Sequence, residues 1–282
     1  MNVREAIAAA AERLSSSEYL RADAHRDGAM LLQHILGISR AQLLADPYRA
    51  MTPDEYASYA VLIERRLAHE PIQYITGEQE FFGLPFRVTP AVLIPRPETE
   101  HLVEAVLNEE HRSSPVRIVD VGTGSGAVAV ALAEHLRSAE IIATDISPAA
   151  LEVAAENAAR NGVGNRIRFV ESDLLEELTL HEPCDAIVSN PPYVAFADGK
   201  EMHPQVRDFE PAIALFATGS GLDVYRRLIP QARVALKPNG LLALEIGHEQ
   251  RDALAELLTE WKDVRFIPDL QQIPRVALAR KP

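Results

Sequence analysis

Through the first 70 residues, apolar side chains recur at helical spacing: Ala29, Met30, Leu31, Leu32, Ile35 and Leu36, then Leu43 and Leu44, then Tyr59, Leu62, Ile63 and Leu67. Such spacing gathers them on one side of successive helices. Gly37, Asp46-Pro47 and Thr52-Pro53 punctuate the pattern. Thr52, followed by Pro53, Asp54 and Glu55, places a capping hydroxyl, a proline and two acids where a helix starts. Residues 1–70 are therefore expected to form a small all-helical domain.

Between residues 71 and 96 the texture changes. Tyr74-Ile75, Gly77, Phe81-Phe82-Gly83-Leu84, Phe86-Arg87-Val88 and Val92-Leu93-Ile94 mix aromatic and branched residues with glycine and proline, which predicts a β-hairpin linking two domains. Pro97, with Glu98, Thr99 and Glu100 behind it, then opens a further helix.

From Pro115 onward, strands and helices alternate. Strands are expected at 116–121, 141–146, 167–170 and 186–189, with helices from Ser125 and from Pro148. Ser147-Pro148 starts the second of these helices and Asn161-Gly162 stops it. A helix over 224–236, a turn at Lys237-Pro238-Asn239-Gly240 and a strand over 241–246 follow. A helix after Gly247 then leads to strands at 264–267 and 275–279. The alternation is that of a parallel α/β sheet across residues 97–282, closed by two strands too closely linked to be parallel.

Composition narrows the setting. The 47% hydrophobic content of 282 residues suffices for one large and one small domain. With 28 Lys and Arg against 41 Asp and Glu, the net charge is −13. No basic block accompanies it, which argues against tight nucleic-acid binding. Cys184 is the only cysteine, so no intrachain disulfide forms; a reducing compartment and a packing role are expected. The start reads as a short amphipathic helix rather than a signal peptide. No apolar run reaches the roughly 20 residues that span a bilayer, and the expected location is the cytoplasm, without membrane attachment. The histidines show no metal-ligand spacing, and His101, His203 and His248 are expected at the surface.

Three constellations carry chemistry. Asp120-Val121-Gly122-Thr123-Gly124-Ser125-Gly126 joins a buried-type strand to an alanine-rich helix. Glycines there let a ligand approach the backbone, and the helix start offers N–H groups to an anion. The bland alternative is a tight turn. Asp145 closes the next strand about 20 residues later, where a carboxylate accepts hydrogen bonds from ribose hydroxyls unless it merely caps a helix. Together they point to an adenosine-containing ligand, with nicotinamide cofactors and S-adenosylmethionine both open.

Asn190-Pro191-Pro192-Tyr193 ends the fourth strand of the α/β region, at the edge where open sheets bind ligands. A proline-stiffened turn is the plain reading. The chemical reading is more specific, and it selects S-adenosylmethionine over a nicotinamide. The Asn190 side-chain oxygen and the Pro191 carbonyl, stiffened by Pro192, are two acceptors for the two N–H groups of a planar nitrogen, and Tyr193 offers a ring face. Such a nitrogen is a weak nucleophile, so positioning and electrostatics must carry its methylation. Amides and aminopurines both satisfy this description.

With these residues the chain resembles the HemK/PrmC family, the peptide chain release factor N5-glutamine methyltransferases. The likeness runs through Glu70-Pro71-Ile72-Gln73-Tyr74-Ile75, Glu80-Phe81-Phe82-Gly83-Leu84 and Leu93-Ile94-Pro95-Arg96-Pro97-Glu98-Thr99-Glu100. It continues through Asp120 to Gly126, Ser189 to Tyr193, Phe209-Glu210-Pro211 and Glu245-Ile246-Gly247. The resemblance implies a Rossmann-like seven-stranded class I S-adenosylmethionine methyltransferase domain behind a helical, substrate-recognising domain. It implies transfer to the glutamine of the Gly-Gly-Gln motif of class I release factors, in support of translation termination. By position, Gly122, Thr123, Gly124, Ser125 and Gly126 would line the methionine part of the cofactor, Asp145 the ribose, and Asp173 and Leu174 the adenine. Asn190 would lie between cofactor and glutamine. Ribosomal-protein glutamine methyltransferases share much of the pattern. Arg96 and Glu98 are open between shaping the substrate mouth and serving as an ion pair and a helix-start charge.

Overall fold

The structure, a computed structural model, describes residues 1–109, 116–179 and 182–282; Pro115, where the α/β alternation was expected to begin, lies outside them. It divides into two compact units. One comprises Met1–Gly77 with Glu201–Phe209, the other Glu78–Lys200 with Glu210–Pro282.

The smaller unit is helical: α1 (Val3–Leu14), α2 (Ala24–Leu36), α3 (Arg40–Ala45), α4 (Pro53–Leu67) and α5 (Ile72–Thr76). Asn2, Ser39 and Thr52 each accept from the backbone three residues on, while Glu5, Gln42 and Glu55 reach back, closing three capping boxes. Leu14, Leu20, Leu31, Leu32, Tyr59 and Ile63 fill the core. Asp27 is fully buried and accepts from Arg66 Nε at 2.7 Å.

The larger unit begins with a hairpin, β1 (Glu78–Phe81) and β2 (Leu84–Arg87). The hairpin is shorter than its texture suggests. Pro71 at the N-cap and a left-handed Gly77 at the C-cap turn Ile72–Thr76 into helix instead, burying Ile72, Tyr74 and Ile75. Val92 and Ile94 are buried in a loop rather than a strand. Phe82 and Gly83, both at positive φ (53° and 73°), form the tight turn that right-twisted strands favour.

Helix α6 (Glu100–Glu109) precedes β3 (Arg117–Val121), α7 (Ala127–His135), β4 (Glu140–Asp145), α8 (Pro148–Arg160), β5 (Ile167–Glu171) and β6 (Cys184–Ser189). A two-residue strand β7 (Val194–Ala195) follows. The single turn α9 (Pro204–Arg207) belongs to the helical unit; α10 (Ala212–Leu215), β8 (Phe216–Ala217), α11 (Asp223–Ala235), β9 (Leu236–Glu245), α12 (Arg251–Leu257), β10 (Lys262–Pro268) and β11 (Pro274–Arg280) complete the chain.

Seven strands form one sheet in the order β10-β11-β9-β6-β3-β4-β5. The five from β9 to β5 are parallel, and β10 and β11 are antiparallel, as their short link requires. The expected turn at residues 237–240 lies inside β9: Leu236 pairs with Cys184 and Leu241 already with Ala186, so the intervening residues bulge out. Apolar side chains cover both faces, with α6, α7 and Ile118 in one cluster and α11, α12 and Val119 in the other, as a doubly covered parallel sheet demands. Cys184 is buried among the second, and burial pushes its thiol up to about 12. The chain runs outward from β3 through β4 to β5 and then returns to β6 on β3's other side. Such a reversal opens a crevice at the carboxyl ends of the strands.

Candidate active site

A cavity of about 340 Å³ occupies that crevice, a volume suited to a small molecule. Its wall includes Gly122, Thr123, Gly124, Ser125, Asp145, Asp173, Leu174, Asn190 and Pro192. Three predicted site residues, Gly126, Pro191 and Tyr193, lie outside that wall.

The glycine loop closes upon itself and upon β4. Gly122 and Thr123 both donate their N–H to the Thr144 carbonyl at 2.9 Å, Gly126 N–H donates to the Thr123 carbonyl, and Gly124 N–H donates to Asp145 Oδ2 at 2.8 Å. The N–H groups expected to await an anion are, at these four positions, already spent. What the loop offers is space. Gly122 and Gly124 have φ of 70° and 54°, and a Cβ on either would meet nothing within 4 Å. At Gly126 (φ 80°) a Cβ would lie 3.1 Å from the Ala154 Cβ, so that glycine permits α7 to pack on α8.

Asp120 sits beneath the loop. Its Oδ2 accepts from the Thr123 hydroxyl at 2.6 Å, and burial pushes its carboxyl up to about 7. Asp145 accepts from Ser147 N–H at 2.9 Å through its other oxygen, while the Ser147 hydroxyl caps α8 by accepting from Ala150 N–H. Burial raises the Asp145 carboxyl above its usual range, opposed by those backbone donors. Each oxygen keeps a further lone pair for a ligand hydroxyl.

Asp173 pairs through Oδ2 with Arg227 at 2.7 Å, so one of its oxygens is engaged. Leu174 adopts a left-handed backbone (φ 56°) and its carbonyl accepts from the Thr144 hydroxyl, which places it in the wall beside Ile146. Ile146 is 48% exposed yet follows the site acid directly. An exposed isoleucine has no periodic signature, so position alone could have marked it.

At the end of β6 the Asn190 side-chain nitrogen donates to the Thr99 hydroxyl at 3.0 Å. Its oxygen is thereby the group left to accept. Pro191 is buried and Pro192 half-buried. The Tyr193 hydroxyl donates to Glu245 Oε1 at 3.4 Å, its carbonyl accepts from Gln250 Nε2, and a Cβ on Gly247 would come within 2.9 Å of its ring. Burial first, and then the Glu245 charge, raises the Tyr193 hydroxyl above its ordinary range. Glu245 is itself 2% exposed; burial pushes it up to about 7, against hydrogen bonding from Thr99 and Tyr193.

Two further supports hold the site. Asn157, fully buried on α8, donates to the carbonyls of Ser125 and Arg87 and accepts from Arg87 N–H, tying the loop to β2. Arg96 lines the cavity and donates to Glu210 Oε1 at 2.5 Å, while Glu210 Oε2 accepts from Ile94 N–H. Of the two open roles for Arg96, the ion pair is therefore present, and it fixes the guanidinium in the wall. His248 is exposed, His101 half-buried; His203 is half-buried against Tyr19, with ring centroids 5.3 Å apart, and caps α9. Among the described residues no cluster of His, Cys, Asp and Glu is placed to hold a metal ion, and no helix is long and apolar enough to cross a membrane.

Known proteins bear on this arrangement in two ways. Residues 5–77 match the family model "PrmC N-terminal domain" and residues 98–208 match "Methyltransferase small domain". The chain is 46% identical to the release factor glutamine methyltransferase of Koribacter versatilis, over 90% of each chain, and 42% identical to that of Moorella thermoacetica, over 99% of this chain and 98% of the other. Among solved structures it is similar to a methyltransferase from Pyrococcus furiosus, with a TM-score of 0.52 at 18% identity over 78% of this chain and 95% of that one, a likeness of fold.

Proposed function

Because the chain belongs to the release factor glutamine methyltransferase family and is a methyltransferase, we propose that it transfers a methyl group from S-adenosylmethionine to the side-chain amide nitrogen, N5, of the glutamine in the Gly-Gly-Gln motif of class I release factors, in the cytoplasm. The observation that carries this reading is the Asn190 amide. With its nitrogen committed to Thr99, its oxygen is the free acceptor at the sheet edge beside the glycine loop, which is what a substrate NH₂ group requires.

The residues fit the cofactor. Side-chain-free Gly122 and Gly124 leave room against the backbone, the Asp145 carboxylate suits paired ribose hydroxyls, and Ile146 and Leu174 offer apolar surface for a purine. S-adenosylmethionine supplies an electrophilic methyl on its sulfonium.

The protein's own part is to position. The Asn190 oxygen and the Pro191 carbonyl accept the two N–H groups of the glutamine, which holds the amide plane and leaves its nitrogen to face the methyl carbon. The glycine loop, Asp145, Ile146 and Leu174 would hold the methyl donor, which would supply an electrophilic methyl to the nitrogen that Asn190 and Pro191 orient. The displaced proton leaves to water. Positive charge growing on nitrogen is stabilised by the two acceptors and by the Tyr193 ring. The helical unit is assigned the recognition of the release factor.

Purified protein, incubated with labelled S-adenosylmethionine and separately with a class I release factor, a ribosomal protein and DNA, tests this. Mass spectrometry should place one methyl on the Gly-Gly-Gln glutamine. Label on DNA or on the ribosomal protein alone, or none on any substrate, overturns it.

A further inference from the structure

We propose that Gln250 is a positioning residue for methyl transfer: its side-chain amide clamps the Tyr193 backbone and so fixes the far end of the Asn190-Pro191-Pro192-Tyr193 turn. The inference rests on the roles given to Pro191 and Tyr193 above and adds the residue that holds them in place.

Gln250 is the N-cap of α12, but the helix start does not use its side chain. Its backbone does that work, with the carbonyl accepting from Leu254 N–H at 2.9 Å and the N–H donating to the Gly247 carbonyl at 3.2 Å. The side chain is spent elsewhere. Nε2 donates to the Tyr193 carbonyl at 3.1 Å and to the Gly221 carbonyl at 3.4 Å. Oε1 accepts from Gly247 N–H at 2.9 Å and, at 3.4 Å, from the Tyr225 hydroxyl, whose nearer acceptor is the Glu245 carbonyl at 2.8 Å. One amide thus ties together the segments that follow β6, β8 and β9.

A primary amide has two N–H donors and an oxygen with two lone pairs. The surroundings present two carbonyls to the first and two donors to the second. Turned over, the amide would set donor against donor and acceptor against acceptor, so its orientation is fixed.

These contacts converge on Tyr193. A Cβ on Gly221 (φ 78°) would lie 2.3 Å from the Tyr193 carbonyl oxygen, and one on Gly247 would lie 2.9 Å from the Tyr193 ring. Both neighbours lack a side chain where Tyr193 comes closest. The ring's hydroxyl is held separately, by Glu245 Oε1 at 3.4 Å. Between the two ends of the turn, the rings of Pro191 and Pro192 lock φ, and a proline that follows restricts ψ of Pro191. A turn with so few free torsions is set by its ends. Strand β6 holds one end, and Gln250 holds the other, which directs the Pro191 carbonyl as well as the Tyr193 ring.

The test measures transfer to a class I release factor, and the affinity for S-adenosylmethionine, on the full chain. Gln250→Met keeps the length and loses the hydrogen bonds. It should lower kcat about ten- to a hundredfold, as expected when a group at the reacting centre is misplaced by about 1 Å, with cofactor affinity by calorimetry preserved. Gln250→Glu separates positioning from packing. Ionised, it sets a carboxylate against the Tyr193 and Gly221 carbonyls; protonated, it has a donor and an acceptor, as the amide has. Its kcat relative to wild type at the same pH should therefore rise as pH is lowered from 9 to 6, while that of Gln250→Met stays level. Tyrosine ring resonances of the free protein give a readout without substrate. The Tyr193 signal, assigned by its loss in Tyr193→Phe, should move in Gln250→Met while that of Tyr59 on α4 stays. The proposal is overturned if Gln250→Met keeps the wild-type kcat or loses cofactor affinity in proportion to it, if the Gln250→Glu ratio is flat with pH, or if the Tyr193 signal does not move. A wild type that methylates no glutamine, with the Tyr193 signal still moved by Gln250→Met, would sink the proposed reaction and leave the clamp standing.

Discussion

The two ends of the cavity are built on different principles. At the glycine-loop end, backbone groups satisfy one another: Thr144 carbonyl takes two amides and Asp145 takes two more. At the Asn190 end, side chains from distant segments bond in pairs: the Asn190 amide nitrogen donates to the Thr99 hydroxyl and the Tyr193 hydroxyl to Glu245 Oε1. A backbone cradle tolerates side-chain change wherever a Cβ has room. A side-chain pair fails when either member is lost. Substitutions at the first end should therefore act on cofactor affinity and at the second on turnover.

The sharpest test of that division is Asn190→Ala. It removes the acceptor for the substrate while leaving the glycine loop and Asp145 intact. Loss of a preorganised polar contact at the reacting centre commonly costs about 10²–10³ in kcat. Cofactor affinity, measured by calorimetry, should stay within a few-fold. Equal losses in both would erase the distinction.

Asp145→Ala should show the converse. Two backbone N–H groups and the expected ribose hydroxyls lose a charged acceptor, a change worth about 1.5–3 kcal/mol per hydrogen bond of this kind. Cofactor affinity should drop about ten- to a hundredfold, with kcat at saturating cofactor little changed. A fall in kcat alone would move Asp145 out of the binding role.

Two glycines extend the contrast. An alanine at Gly126 would hold a left-handed φ of 80° and press its Cβ to 3.2 Å from the Ala154 Cα. That is costly in backbone strain, about 1–2 kcal/mol before packing is counted. Gly126→Ala should lower the melting temperature and cofactor affinity together. Gly247→Ala carries no such strain; its Cβ meets the Tyr193 ring at 2.9 Å and Gln250 Oε1 at 3.0 Å. It should reduce kcat several-fold with cofactor affinity preserved. Identical phenotypes would show that the two ends move as one.

The same contrast explains what could be read from residue order. Glycines at 122, 124 and 126, the acid at 145 and the asparagine at 190 each end a strand, and strand ends converge in a parallel sheet, so local patterns located them. The polarity of the loop escaped this reasoning, because the β4 carbonyl of Thr144 that consumes its amides looks like any other strand residue. Thr99 and Glu245 lie 91 and 55 residues from Asn190 (190 − 99 and 245 − 190). Nothing local to either distinguishes it from an ordinary helix-start threonine or strand-end glutamate. The hairpin was overextended for a related reason. Pro71 and Gly77 bracket a single helical turn whose apolar content imitates a strand, and a segment of that length shows no period.

Asp120 offers the smallest effect on turnover and separates stability from chemistry. Its folded-state carboxyl is raised from 3.8 to about 7, first by burial, with the Thr123 hydroxyl opposing. The folded protein therefore holds this proton more tightly than the unfolded chain between those two values. Stability is favoured below the window and lost as pH rises through it. Asp120→Asn keeps the size and an acceptor for Thr123 but cannot ionise. Comparing melting temperatures of variant and wild type at pH 5 and pH 8, without cofactor, cancels every other titrating group common to both. The difference should shift in the variant's favour at pH 8 by several degrees, because about two units of titration between pH 5 and about 7 correspond to roughly 2–3 kcal/mol. A difference that does not depend on pH would mean that Asp120 keeps an ordinary carboxylate value beneath the loop, and that the loop's own backbone bonds, rather than a protonated acid, hold that end of the cavity in shape.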